Sequence, residues 1–282
     1  MLLSPASRMT RASVLALLGA LLIGGNPSTG EEVPVRHVEG LLHGFLSLRS
    51  LDGSLLAHGD LEQTANGARV TSRLVFHFND GSLNDETTVF SERKTFRLLT
   101  DHLVQKGPSF PQPIDLSIDA VGGRVVVRYS DEHGQPKVAS EHLDLPADLA
   151  NGLIPTLLKN LRGGASPQTV GLLAASPKPR LVKLAIRPEG TDSFSTTGEV
   201  RIATRYVLKV ELGGIAGALA PLLGKQPPDS HVWILEGDVP VFLKSEQPLY
   251  VGGPVWRIEP VSPVWRTSSA ARPSGAASAQ MP

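Results

Sequence analysis

The sequence predicts a mainly β protein: a curled antiparallel sheet, an open or half barrel, with one central helix and a short apolar helical insert. Three observations lead there. Turn signals recur at short intervals along the first half of the chain: Asp52-Gly53, Asn66-Gly67 and Asn79-Asp80-Gly81. Such closely spaced hairpin signals favour an up-and-down meander. The stretch Glu199 to Leu212 alternates cleanly, with Val200, Ile202, Tyr206, Leu208, Val210 and Leu212 against Glu199, Arg201, Arg205, Lys209 and Glu211. That is a strand with one buried and one wet face, long enough for a strongly curved sheet. Finally, one segment carries a helical stripe: Leu149, Leu153, Ile154, Leu157, Leu158 and Leu161. A stripe so continuous must lie against the sheet.

In chain order, residues 1–30 have the layout of a secretory signal peptide. Arg8 and Arg11 precede the apolar run Val14 to Ile23, and Ser28 and Gly30 are small residues placed for a cut before Glu31. The run is too short for a comfortable membrane span. The chain has no cysteine, which excludes disulfides, thiol catalysis and lipidation at a lipobox cysteine. An exported chain of this size without disulfides suits a bacterial periplasm or a secreted protein.

The mature chain is expected to form a single β-rich domain over residues 31–266, with strand runs at 35–143 and 180–259 joined by a helix at 146–162. Val38, Gly40, Leu42, Gly44, Leu46 and Leu48 share one face of the first strand. Val70, Leu74, Phe76 and Phe78 point inward from a later one, with Arg69, Thr71, Arg73 and His77 outward. Pro155 interrupts the helix and predicts a kink or a break. Residues 213–224 are apolar and glycine-rich, and are expected to be a short helical cap or a mobile lid over an apolar ligand. Residues 267–282 are rich in Ser, Ala, Gly and Pro, the composition of a disordered tail.

Charge gives no footprint for nucleic acid. The formal net charge of the full chain is zero, and loss of Arg8 and Arg11 with the leader shifts it to −2, without a basic cluster. No nucleophile elbow, Walker loop, dinucleotide fingerprint or His-Glu-x-x-His pair occurs. The eight histidines form no His-x-His pair, and His37 and His43 lie too far apart on a strand to share an ion, so no metal and no cofactor is expected. Asn79 to Glu86 resembles a calcium loop in composition only, since the closing Glu is misplaced. If an active site exists, it is dispersed, with Asp101, His102, Ser109 and His231 as first suspects.

Several phrases stand out: Asp80-Gly81-Ser82 through Phe110-Pro111, Pro177 to Leu184, Gly252 to Glu259, and the Leu-Pro-Ala-Asp-Leu-Ala-Asn-Gly run from Leu145 to Gly152. Together they resemble an uncharacterised family of exported bacterial proteins, a resemblance that implies no activity. More loosely, the order of meander, "Leu-Pro-x-Asp" helix and further strands resembles DUF3108-type periplasmic proteins and the half-barrels of lipoprotein carriers (LolA/LolB-like).

These readings converge on an exported, periplasmic binding or carrier protein for an apolar or lipid-like ligand, with peripheral membrane contact as a further expectation. The alternatives are a hydrolase with a dispersed site and a structural envelope protein. Ligand contacts are expected from Ile215, Leu219, Leu222 and Leu223 of the insert and from Ile154 and Leu157 of the helix. Oligomeric state is left open. The leader is directly checkable: N-terminal sequencing of the exported protein should start close to Glu31, and a mature product still beginning at Met1 contradicts the assignment.

Overall fold

The computed structural model describes residues 32–162, 166–196, 199–211 and 227–262. Eight strands precede the helix: β1 (Leu42–Ser50), β2 (Leu55–Asn66), β3 (Arg69–Phe78), β4 (Leu83–Glu92), β5 (Phe96–Lys106), β6 (Ile114–Asp119), β7 (Arg124–Ser130) and β8 (Pro136–His142). After α1 (Ile154–Asn160) come β9 (Gln168–Ala174), β10 (Arg180–Thr196), β11 (Glu199–Glu211), β12 (Ser230–Leu235), β13 (Val241–Gln247) and β14 (Trp256–Pro260). All fourteen strands join one antiparallel sheet in the order β8-β7-β6-β5-β4-β3-β2-β1-β14-β13-β12-β11-β10-β9. The two meanders meet where β14 pairs with β1, with Leu48 opposite Ile258. The end strands β8 and β9 do not pair, so the sheet is not closed into a barrel. The predicted fold class holds; its apolar insert, with Ile215, Leu219, Leu222 and Leu223, lies outside the described residues.

The sheet curls around the segment that leads into α1. One buried cluster draws on β3 to β7, on Leu149, Ala150, Leu153, Leu157 and Leu158, and on β9 to β12. Both halves of the sheet therefore bury apolar area against the same short segment, a net gain of about 25 cal/mol per Å² removed from water. A second cluster fills another part of the interior: Phe78, Phe110, Tyr250 and Trp256 pack with ring centroids 5.3–6.3 Å apart in mostly edge-to-face contacts.

The helix is shorter than the expected 146–162, and the reason is local. Residues 148–150 spend their backbone groups on β9: Ala150 N–H donates to the Gly171 carbonyl and Gly171 N–H to that of Asp148. Asn151 adds a clamp, donating through Nδ2 to the Leu173 carbonyl and accepting from Leu173 N–H at Oδ1. Gly152 then takes φ 65°, a left-handed conformation that ends this segment. Pro155 sits in the first turn, where its missing N–H costs nothing. The expected break at Pro155 is thus a helix start.

Other differences follow from where backbone groups find partners. The first strand begins at Leu42, not Val35, because Val35 N–H bonds to Lys94 and the Arg36 and His37 N–H groups bond to Asn160 Oδ1. Val38 and Leu42, expected to share a face with Leu46 and Leu48, are exposed whereas those two are buried. β9 was not expected before residue 180. It is short, and contains Gly171, where a Cβ would lie 2.8 Å from Pro146. On β11, Val200 and Ile202 are expected on the buried face, yet are 73% and 53% exposed. β12 pairs with β11 only from Ala203 onward, and the β10–β11 hairpin runs on to Thr196 and Glu199 beyond it. The apolar face of β11 therefore continues past the core into solvent.

Within the core runs a polar strip on the inward side of β4 and β5. Gln105 donates to Asn84 Oδ1 and to the Leu249 carbonyl, both at 2.8 Å. Next to it, Thr88 Oγ1 donates to Asp101 Oδ1 at 2.8 Å. Asp101 is 2% exposed, and its Oδ2 has no hydrogen-bond partner among the described residues. Burial pushes its carboxyl up to about 6, against the opposing effects of the Thr88 hydroxyl and the His102 charge. Glu86, on the same face but keeping part of its surface in solvent, is raised to about 8 by burial and by the Asp101 charge. Gly152 packs over this site so tightly that a Cβ there would lie 1.9 Å from Thr88 Oγ1.

Two outcomes check this interior. Leu157 is 3% exposed, so Leu157→Ala should cost roughly 2–5 kcal/mol in denaturant unfolding. Because the folded chain holds protons on Asp101 and Glu86 that the unfolded chain releases, their contribution is full below the ordinary carboxylate range. It is lost as pH rises through about 6 and about 8. Thermal melts should therefore show falling stability from about pH 5 to about pH 8. Asp101→Asn should flatten that fall and raise the midpoint at pH 8 by about 3 °C or more.

Candidate functional site

The described residues bring one charged cleft together next to the C-terminus of α1. It has a volume of about 200 Å³ and is lined by Arg36, His37, Lys159, Leu161, Arg162, Thr204, Tyr206, Ile234, Glu236, Gly237 and Pro240. Four parts of the chain supply it: the segment before β1, the end of α1, β11, and the exit of β12.

Asn160 holds the first two parts in place. Its Oδ1 accepts from the N–H groups of both Arg36 and His37, at 2.8 and 2.7 Å, and its Nδ2 donates to the Thr156 carbonyl. The Arg36 guanidinium turns back to the Asn160 carbonyl at 3.2 Å, which places a cation at the negative end of the helix. Lys159 is neutralised by Glu39, with Nζ 2.5 Å from Oε1. Glu39 is itself fixed, its N–H donating to Glu92 Oε2 and its Oε2 accepting from Gln63. Neither Arg36 nor Arg162 has an ion-pair partner among the described residues.

The wall opposite is the inward face of β11 and β12. Thr204 donates its hydroxyl to Glu236, and Glu236 N–H donates to the Ile202 carbonyl at 3.2 Å. Tyr206 is 2% exposed, and its phenol is raised to about 12 by burial and the Glu236 charge, with Arg36 acting the other way. It is therefore a neutral hydrogen-bonding group at any physiological pH. Residues 200, 202, 204 and 206 share one face of β11 by strand alternation, and beyond Thr204 that face carries the exposed Val200 and Ile202.

Arg36 and Arg162, two cations without acidic ion-pair partners among the described residues, suit an anionic group. The arrangement lacks an activated nucleophile. Those residues expected from sequence that are described lie elsewhere, and Ile215, Leu219, Leu222 and Leu223 lie outside the described residues. Leu157 is a core residue, and Ile154 is partly buried against the same core. Asp101 and His102 are successive strand residues on opposite faces: Asp101 is interior, while His102 Nε2 meets Asp115 on the exterior at 3.1 Å. Ser109 donates to Asp80 at 2.7 Å in a loop contact, and His231 lies 3.6 Å from Glu189. These four form no common constellation.

Sequence reasoning missed the cleft because its lining residues span positions 36 to 240 and carry no motif. The nearest signal was Arg36-His37 followed by a helix ending Lys159-Asn160-Leu161-Arg162. No spacing rule links those two pieces.

No protein-family model matches the chain, and no curated protein matches it. Among solved structures it is similar to a beta-barrel-like protein of domain of unknown function DUF1849 from Brucella abortus, with a TM-score of 0.41 and 10% identity. That similarity covers 80% of this chain and 98% of the other. The comparisons do not show the resemblance to DUF3108-type proteins and lipoprotein carriers that the order of elements suggested.

Proposed function

We propose that this chain is an exported, non-catalytic binding module that takes the anionic head of an amphiphile in the basic cleft. The apolar part of the ligand then lies along Val200 and Ile202. One observation supports the reading above all: Thr204 and Tyr206 of the cleft that holds Arg36 and Arg162 share a strand face with two exposed apolar side chains, Val200 and Ile202. A polar end and an apolar end in line match an amphiphile better than a purely apolar ligand. The interior of the sheet is occupied by the chain's own α1 segment and aromatic cluster, which supports binding at the mouth rather than inside.

Each arginine near an anionic lipid surface is worth about 1 kcal/mol. Replacing both by alanine should therefore weaken association with vesicles containing phosphatidylglycerol by roughly 30-fold. Ile202→Ser should weaken vesicle association while leaving the affinity for soluble glycerol phosphate unchanged. The measurement is sedimentation with anionic and with neutral phosphatidylcholine vesicles at about 0.1 M salt. Equal binding to both vesicle types, or binding indifferent to Arg36→Ala and Arg162→Ala, rejects the proposal.

A further inference from the structure

We propose that His43, Asp60 and Glu62 form a binding site for a divalent transition-metal cation on the outer face of the sheet, separate from the basic cleft. The three residues come from β1 and β2. Antiparallel register puts His43 directly opposite Glu62, with Asp60 opposite Phe45, two positions along on the same face. His43 Nε2 lies 2.7 Å from Asp60 Oδ1. One potential ligand atom from each of the three residues lies within 4.8 Å of the other two. Ligands around a tetrahedral zinc ion, each about 2.0–2.2 Å from the metal, sit roughly 3.4 Å apart. Small rotations of three surface side chains bring this set to that spacing. A cation between them then replaces the direct His43–Asp60 hydrogen bond.

The donor chemistry selects the class of ion. One imidazole and two carboxylates suit zinc, nickel, cobalt or copper, whereas magnesium and calcium favour all-oxygen sites. Two carboxylates also balance the charge of a divalent ion. The Phe45 ring lies against the His43 imidazole, with centroids 4.9 Å apart, and restricts its orientation. On the far side of Glu62, Arg73 is held by a two-point contact with Asp85 at 3.0 and 2.7 Å. That contact offsets part of its charge, while Arg73, opposite Glu62 in register, still acts on that carboxylate.

Three protein ligands leave a coordination position open. Asp60 and Glu62 also line a shallow cleft of about 240 Å³ that extends past Arg73, Val75 and His77. The open position can therefore be filled by water or by a small anionic ligand standing in that cleft.

The test uses the mature protein without an affinity tag, titrated calorimetrically with zinc chloride, with magnesium chloride as the comparison. The expected result is saturable uptake of one zinc per chain and no comparable response to magnesium. His43→Gln and Asp60→Asn should each weaken zinc binding about tenfold or more. His102→Gln, whose imidazole meets Asp115 on β6, should leave the affinity unchanged. Melting curves without metal check that the variants fold; if His43→Gln does not, Asp60→Asn and Glu62→Gln carry the test. Absence of saturable zinc uptake overturns the site, and so does uptake that none of the ligand substitutions weakens.

Discussion

The constraint on which the structure depends is that one face of a wide, open antiparallel sheet must be covered. Fourteen strands with unpaired ends cannot bury their inner face by closing. The chain solves this with the few residues from Leu149 to Leu158, which β3 to β7 approach from one half and β9 to β12 from the other. The clamp between Asn151 and Leu173 and the bonds between Gly171 and residues 148–150 tie this plug to one free edge. Covering that edge also shields backbone groups that would otherwise recruit another strand.

The plug shapes the functional geometry. Because α1 fills the concave face, the space left for a ligand is displaced to its C-terminal end. There Asn160 links the helix to the segment before β1. The β10–β11 hairpin extends beyond β12, so the inner face of β11 passes from core at Leu208 and Tyr206, through the cleft at Thr204, to solvent at Ile202 and Val200. Core and candidate site are successive stretches of one strand face. The outer face follows a different logic. On β3 to β6 it carries polar side chains paired across strands, as in Arg73 with Asp85 and His102 with Asp115, while on β11 and β12 it carries a small apolar cluster of Ala203, Trp233 and Leu235. There the register of adjacent strands decides which groups meet.

The polar strip inside β4 and β5 is the costly feature of the interior. Asp101 sits under Gly152 with one oxygen unbonded, in surroundings that favour its neutral form. A left-handed glycine is required where the plug crosses this strip, since any Cβ would strike Thr88. The shape of the turn before α1 and the polar interior of the sheet are thus fitted to each other.

The sequence by itself determined what depends on neighbours along the chain. Alternation marked the strands, Asp-Gly and Asn-Gly marked the hairpins, and the stripe through Leu157 marked the one segment that must be buried. These signals are local because strand and helix periods are local. Only the tertiary structure decided the rest. The helix ends up as Ile154–Asn160 because residues 148–151 find better partners on β9. Val200 and Ile202 are solvent-facing because β12 stops short of them. Arg36 and Arg162 come to line one cleft, and His43 meets Asp60 and Glu62, through packing and strand register. No spacing in the sequence encodes either meeting, since each depends on which strand lies beside which.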